Sequence, residues 1–192
     1  MKYSIITIGR EYGSGGRIIA KQVAETLGIA FYDKELIHLA AQKTGLSEEY
    51  ISSSATHHKA NKFFYNLIFS SDNLPVSDQL YIAETDIIKK VSDDGPCVIV
   101  GRCADYILRD KADCLKVFIH ADMKFRAERI VKVYGEREQS PEERLRDKDK
   151  RRAAYHRFYT NMKWGHAQNY HLTLDSGVIG IDKCVDIIAE LY

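Results

Sequence analysis

The 192-residue chain is 45% hydrophobic and 29% charged, which is enough to bury one substantial core but short for two independent domains. Its 28 lysines and arginines nearly balance 27 aspartates and glutamates, so the overall charge calls for neither nucleic acid nor an anionic membrane as partner, and phosphate chemistry has to come from local clustering. Cys97, Cys103, Cys114 and Cys184 lack Cys-x-x-Cys spacing, no apolar run nears the roughly 20 residues that span a bilayer, and the N-terminus enters a strand at once; these features predict buried reduced thiols, no zinc and a cytoplasmic protein.

The apolar, β-branched run over residues 3–8 leads straight into Gly9 and predicts a buried strand. Ile19, Val23 and Leu27 then line one helical face before Gly28 ends the run. Residues 29–32 form a short second strand, and a helical pattern from Asp33 through Leu36, Ile37, Leu39 and Ala40 closes at residues 43–45. Further strands are predicted at 97–100, after the turn Asp94-Gly95-Pro96, at 115–120 and at 170–174. Strands alternating with helices imply a mainly parallel sheet of about five strands covered on both faces, a three-layer α/β sandwich. Between the second and third strands lies a long stretch without strand signal, too long for a loop, which reads as a helical insertion over about 45–92 ending in a helix at 78–91. Its aromatics Phe63, Phe64, Tyr65 and Phe69 suit stacking on a base or, more often at such spacings, the insertion's own core or a homodimer contact, and the adjacent His57 and His58 have the wrong spacing for one helical face.

The turn Gly9-Arg10-Glu11-Tyr12-Gly13-Ser14-Gly15-Gly16-Arg17 follows a buried strand and opens a helix. Backbone N–H groups and the positive end of the helix dipole favour an anion there, and glycines let it approach. A tight strand-to-helix turn with spare glycines is the structural alternative. The usual pattern Gly-x-x-x-x-Gly-Lys-Ser/Thr puts a lysine on the transferred phosphate and a hydroxyl on magnesium. With Gly15 as the last glycine, Gly16 and Arg17 hold those positions. Arg17 is the candidate to supply the missing charge, Ser14 is the hydroxyl inside the glycine run, and Lys21 is a weaker cation. The metal ligands stay unassigned.

The sequence Ile6-Thr7-Ile8-Gly9-Arg10-Glu11-Tyr12-Gly13-Ser14-Gly15-Gly16, followed by Phe31-Tyr32-Asp33-Lys34-Glu35-Leu36, resembles the cytidylate kinase-like family of P-loop kinases. Further matches are Val98-Ile99-Val100-Gly101-Arg102, the stretch over 147–152 and residues 170–180. The resemblance implies an ATP-binding core, an acceptor-binding insertion and a basic lid, here over about 135–165. It makes Asp33 the aspartate after the second strand and Arg102 the arginine that holds the acceptor phosphate, with Val100 and Cys103 replacing that arginine's acidic neighbours. In the lid, Lys148 and Lys150 stand where arginines are expected and Arg152 is retained; a lysine gives a point charge where arginine gives a fork. Asp175-Ser176 resembles the segment bordering the adenine, with Gly177 in place of a threonine.

Residues 124–157 carry twelve lysines and arginines against seven acids, which reads either as a solvated helix laced with ion pairs or as a lid that neutralises phosphates. Arg126 and Arg129, three apart, can converge on one anion or lie on the surface, and Arg137 suits a lid hinge or a helix end. Asp33 is an N-cap, an acceptor-side carboxylate or a magnesium-linked one. The expected activity is Mg²⁺-dependent phosphoryl transfer from ATP to a small phosphate acceptor, a nucleoside monophosphate. Gly9, Arg10, Gly13, Ser14, Gly15, Gly16, Arg17 and Ile18 would bind ATP, while Asp33, Arg102, Arg126, Arg129 and Lys150 would bind the acceptor. Arg17, Arg102, Lys148 and Arg152 would act in catalysis. A nucleotide-binding regulatory module without catalysis, and a nucleic-acid binder using residues 124–157 whose affinity falls steeply with salt, are the rivals.

Overall fold

The computed structural model describes residues 3–33, 39 and 75–192. Five strands, β1 Ile5–Arg10, β2 Ala30–Tyr32, β3 Cys97–Val100, β4 Cys114–His120 and β5 Leu172–Asp175, form one sheet in the order β2-β3-β1-β4-β5. Every neighbouring pair is parallel. The helices are α1 Gly16–Leu27, α2 Val76–Asp94, α3 Ala104–Ile107, α4 Met123–Tyr134, α5 Pro141–Thr160, α6 Ser176–Ile179 and α7 Ile181–Leu191.

Alternation along the strands explains why the sheet has two covered faces. Ile5, Cys97, Ile99 and Cys114 point to one side and pack on Leu80, Ala83, Ile88 and Val91 of α2. Ile6, Ile8, Val98, Val100, Val117 and Ile119 point to the other and pack on Ile19, Ala20 and Val23 of α1 and on Cys184, Val185 and Ile188 of α7. A strand buried on both faces has no polar side, which is why β1 reads as a continuous apolar run. The result is the expected three-layer sandwich, with all four cysteines free and buried.

The element ends moved for local reasons. Strand β1 starts two residues late and runs on to Arg10, because its pairing with β4 continues as far as Arg10 opposite Ile119. Helix α1 begins at Gly16, two residues before the apolar periodicity shows itself. Tyr170, predicted inside the last strand, instead ends a short 3-10 turn over Ala167–Asn169 and packs its ring, tilted by 41°, with its centroid 5.0 Å from that of Phe118. The predicted helix after Asp33, the aromatics Phe63, Phe64, Tyr65 and Phe69, and His57 and His58 lie outside the described residues; α2 falls at the end of the predicted insertion.

Within the predicted lid segment, α5 is a single 20-residue helix whose N-terminus has Ser140 accepting from the Glu143 N–H and Pro141 in the first turn. It buries little apolar surface, Leu145 packing with Ala127 and Ile130 of α4. Polar and aromatic contacts do the rest, including Tyr81 of α2 stacked on Tyr159 with centroids 4.0 Å apart. Among the described residues no helix is long and apolar enough to cross a membrane.

Candidate active site

The central strand β1 has β3 on one side and β4 on the other, so the chain reverses its winding direction at the carboxyl end of β1, where ligands bind in open parallel sheets. The glycine turn lies there. Gly13 and Gly15 have φ of 84° and 80°, a region that side-chain-bearing residues rarely adopt. Gly15 precedes α1 with no side-chain cap on its N-terminus, leaving the positive end of the helix to an anion. The Ser14 hydroxyl is fully buried and donates to the Glu11 carbonyl at 2.9 Å, while the Ser14 carbonyl accepts from the Ser176 hydroxyl at 2.6 Å. Ser14 therefore shapes the turn from within.

Two cavities flank the turn. The first, about 560 Å³, is lined by Gly13, Gly15, Gly16, Arg17, Ile18, Lys21 and Arg129 among others. The second, about 360 Å³, lies against α5 and is lined by Gly9, Gly101, Arg102, Lys148, Arg151, Tyr155, His156 and Trp164 among others. Arg10, Tyr12 and Arg152 line both. Of the predicted residues, Ser14 lies buried inside the turn, Arg126 is buried beside it, and Asp33 and Lys150 line neither cavity.

Each cation has a distinct setting. Arg17 pairs through Nε with Asp33, and Asp33 also lies 3.9 Å from Arg10 Nη2. Arg126 pairs with Asp149 at 2.5 Å and with Glu11 at 3.4 Å, and Asp149 accepts the Tyr12 N–H at 2.7 Å. Arg152 donates to the Arg10 carbonyl at 3.0 Å. Helix α5 is thus docked on the turn's backbone from two positions one helical turn apart.

Arg102 follows Gly101 in an unusual stretch: Gly101, Arg102 and Cys103 have φ of 74°, 56° and 56°. That geometry brings Arg102 Nη1 within 3.2 Å of Glu84 Oε1, a carboxylate on α2 with no exposure to solvent, whose Oε2 accepts the Tyr155 hydroxyl at 2.8 Å. Burial pushes the Glu84 carboxyl above its usual range, opposed by Arg102 and the Tyr155 hydroxyl. Nearby, His156 Nε2 meets Asp105 at 3.0 Å and its Nδ1 meets the Thr160 hydroxyl at 3.2 Å, all three buried.

Positive charge exceeds its neutralisation here. Burial, then the charge of Arg152, lowers the Arg10 guanidinium to about 9, with Arg102 and Arg17 acting in the same direction against Asp33. Burial and the neighbouring Arg151, Arg152, Arg137 and Arg144 likewise lower Lys148. Such mutual depression marks a place suited to an added anion. Among the described residues no cluster of three or more His, Cys, Asp or Glu could hold a metal ion by itself. Magnesium carried by nucleotide phosphates needs no such cage, since phosphates, waters and one carboxylate suffice. Asp33, touching two cavity-lining arginines, is a fitting carboxylate.

Sequence reasoning passed over Glu84, Asp105, His156 and Asp149, and weighed Tyr155 only as an aromatic, leaving it out of the site. A signal existed for Glu84, an acid on the same stripe of α2 as Leu80, Ile87, Ile88 and Val91. Asp149 sat unremarked within the basic run.

A family model described as the cytidylate kinase-like family matches residues 5–178. No curated protein matches the chain. Among solved structures, an uncharacterized protein from Eubacterium ventriosum is 28% identical with a TM-score of 0.74, the match covering 97% of this chain and 96% of that one. A gluconokinase from Sinorhizobium meliloti is 16% identical with a TM-score of 0.59, covering 99% and 93%. A shikimate kinase from Acinetobacter baumannii in complex with shikimate is 16% identical with a TM-score of 0.56, covering 98% and 92%. The shared fold is that of the small-molecule P-loop kinases.

Proposed function

The chain belongs to the cytidylate kinase-like family, and from that membership together with the two flanking cavities we propose that it transfers the γ-phosphoryl group of Mg-ATP to a nucleoside monophosphate. The observation that carries this reading is the pair of cation-lined cavities, one beside the glycine turn and one under the lid helix, sharing Arg10, Tyr12 and Arg152. The backbone of Gly9, Gly13, Ser14, Gly15, Gly16 and Ile18 cradles the donor phosphates, with Arg10, Arg17 and Arg129 beside them. Arg102 and Lys148 hold the acceptor phosphate, and Arg152 closes from the lid. Arg126 acts indirectly, tying Glu11 in the turn to Asp149 in the lid. Asp33 orients Arg10 and Arg17, and the exposed Lys150 adds charge to the lid.

In the transfer step an oxygen of the acceptor phosphate attacks the γ-phosphorus. A P–O bond forms there while the bond from the γ-phosphorus to the β,γ-bridging oxygen breaks, and the electron pair leaves on ADP. The attacking oxygen is already anionic at neutral pH, so no side chain has to remove a proton. Positioning and neutralisation by preorganised cations supply most of the acceleration. Magnesium carried in with ATP would add to that neutralisation.

The test is product formation from Mg-ATP with CMP, dCMP, UMP, AMP and GMP in parallel, read by chromatography of the diphosphates. Selective conversion of one is the expected result. Arg102→Ala should raise the acceptor KM and lower turnover by about 10²-fold; unchanged kinetics would take Arg102 out of the site. Gly16 at the usual lysine position favours a second reading, a regulatory module that binds nucleotide without turnover. Tight ATP binding with no diphosphate from any acceptor would support that second reading over the first.

A further inference from the structure

Turns of this type usually carry a lysine directly after the last glycine, and that place is Gly16. The structure gives a steric reason for its absence. A Cβ at position 16 would fall 2.5 Å from the Cβ of Arg10, closer than atoms approach, so no lysine fits there while Arg10 keeps its course. The same arginine passes over Gly101, where a Cβ would fall 2.1 Å from its Nη1. Two glycines at the ends of different elements therefore clear the path of one guanidinium.

That guanidinium lines both cavities, the position a cation must occupy to follow a group passing from donor to acceptor. It is also poorly neutralised. Its ion pair with Asp33 is long, 3.9 Å, while the Asp33 carboxylate makes its close contact with Arg17. Arg152, Arg102 and Arg17 add their repulsion to the cost of burial. A largely buried, under-matched guanidinium gains most from a ligand group more anionic than any side chain nearby, and its planar fork suits phosphate oxygens. Arg17 differs on each count: it is 54% exposed, its Nε is committed to Asp33, and it lines the cavity beside the turn without lining the one under the lid.

Resting on the phosphotransfer reading, we infer that Arg10 takes the place of the absent lysine and binds the transferred phosphoryl group between the two cavities. It accompanies the group electrostatically as the bond to the bridging oxygen of ATP breaks and the bond to the acceptor oxygen forms, and exchanges no proton. A residue with this role reads the γ-phosphate, so it separates ATP from ADP. A residue that only supports the fold affects both nucleotides alike.

The experiment is titration calorimetry of Mg-ATP and Mg-ADP with the wild-type protein, Arg10→Gln and Arg17→Gln, each checked by thermal melting. Arg10→Gln should weaken ATP binding by at least about tenfold and ADP binding by less than about threefold, while Arg17→Gln preserves the wild-type ratio of the two affinities. An Arg10→Gln protein that keeps the wild-type ratio overturns the inference, and so does an Arg17→Gln protein that alone loses it. Because like charges surround Arg10, Arg10→Gln should melt no lower than wild type. Should it fail to fold, Gly101→Ala decides the matter by displacing the guanidinium: a reduced ATP-to-ADP ratio upholds the assignment and an unchanged one sinks it. Wild-type protein that binds no ATP would instead defeat the phosphotransfer reading itself.

Discussion

Arg102 pays for its position in backbone geometry. It and Cys103 both sit at positive φ, costing about 1–2 kcal/mol apiece for a residue with a side chain. What holds them is the environment: Cys103 is buried in the core cluster, and Arg102 is matched by Glu84. This pairing complicates any test of function, because Arg102→Ala strands a carboxylate that has no exposure to solvent. Removing one partner of a buried pair costs about 3–5 kcal/mol, and the Tyr155 hydroxyl offsets part of that by its hydrogen bond. Arg102→Ala should therefore lower the unfolding free energy by about 2–4 kcal/mol in urea titrations, and adding Glu84→Gln should restore most of it. If stability recovers in the double variant while activity does not, the loss of activity belongs to Arg102's contact with substrate. Equal recovery of both would make Arg102 a structural residue.

At the scale of elements, α5 is held by its buried Leu145 and its aromatic rings as well as by polar contacts. Asp149 carries two of them, accepting the Tyr12 N–H and pairing with the buried Arg126. Asp149→Ala leaves Arg126 with Glu11 at 3.4 Å and leaves the turn's amide without its acceptor. Loss of a charged hydrogen bond is worth about 1.5–3 kcal/mol, so amide exchange across 141–160 should speed up by at least about tenfold. Exchange in α1 and α7, which share the opposite face of the sheet, should stay as in wild type. Uniform acceleration in all three helices would mean that Asp149 supports the fold as a whole and is not a lid contact. The central strands were legible because β1 and β3 are short apolar runs buried on both faces, and α5 lies in the basic stretch of an otherwise balanced chain. Its anchoring was not, since Tyr12 and Asp149 are 137 residues apart and no local pattern encodes such a contact. Arg10 illustrates the same limit: its place in the glycine turn was visible, but its fit against Gly16 and Gly101 exists only once three chain segments meet. The fifth strand was misplaced by two residues because Tyr170 looks like a strand residue, while its ring is used against Phe118.

For the whole molecule, the two apolar layers on either side of the sheet carry their own reporters. Cys97, Cys103 and Cys114 lie in the layer under α2, and Cys184 lies in the layer under α1 and α7. Burial pushes the Cys97 and Cys114 thiols up from the ordinary 9.0 to about 11, and raises Cys103 and Cys184 as well. A thiol reagent at pH 8 should therefore label the folded protein far more slowly than the urea-unfolded chain, in which four thiols react. The shift also fixes the direction of alkaline destabilisation. Below pH 9 neither state has lost these protons and the contribution of neutral burial is whole. As pH rises from about 9 to about 11 the unfolded chain releases protons that the folded one retains, so stability falls across that window. Thermal melting between pH 8 and 11 should show a declining midpoint, and replacing Cys97 and Cys114 by alanine should flatten the decline while lowering stability at pH 8 through lost packing. The order of labelling adds a test of architecture. α2 meets α5 through the hydrogen bond of Tyr155 to Glu84, whereas α1 packs directly on α7, so ligand-linked opening should expose the α2 layer first. Cys103, beside Arg102 and lining the cavity under the lid, should react before Cys184, and a bound acceptor should slow Cys103 alone. Labelling of Cys184 first would show that the sheet opens from the side of the glycine-turn helix, placing the mobile layer opposite the lid.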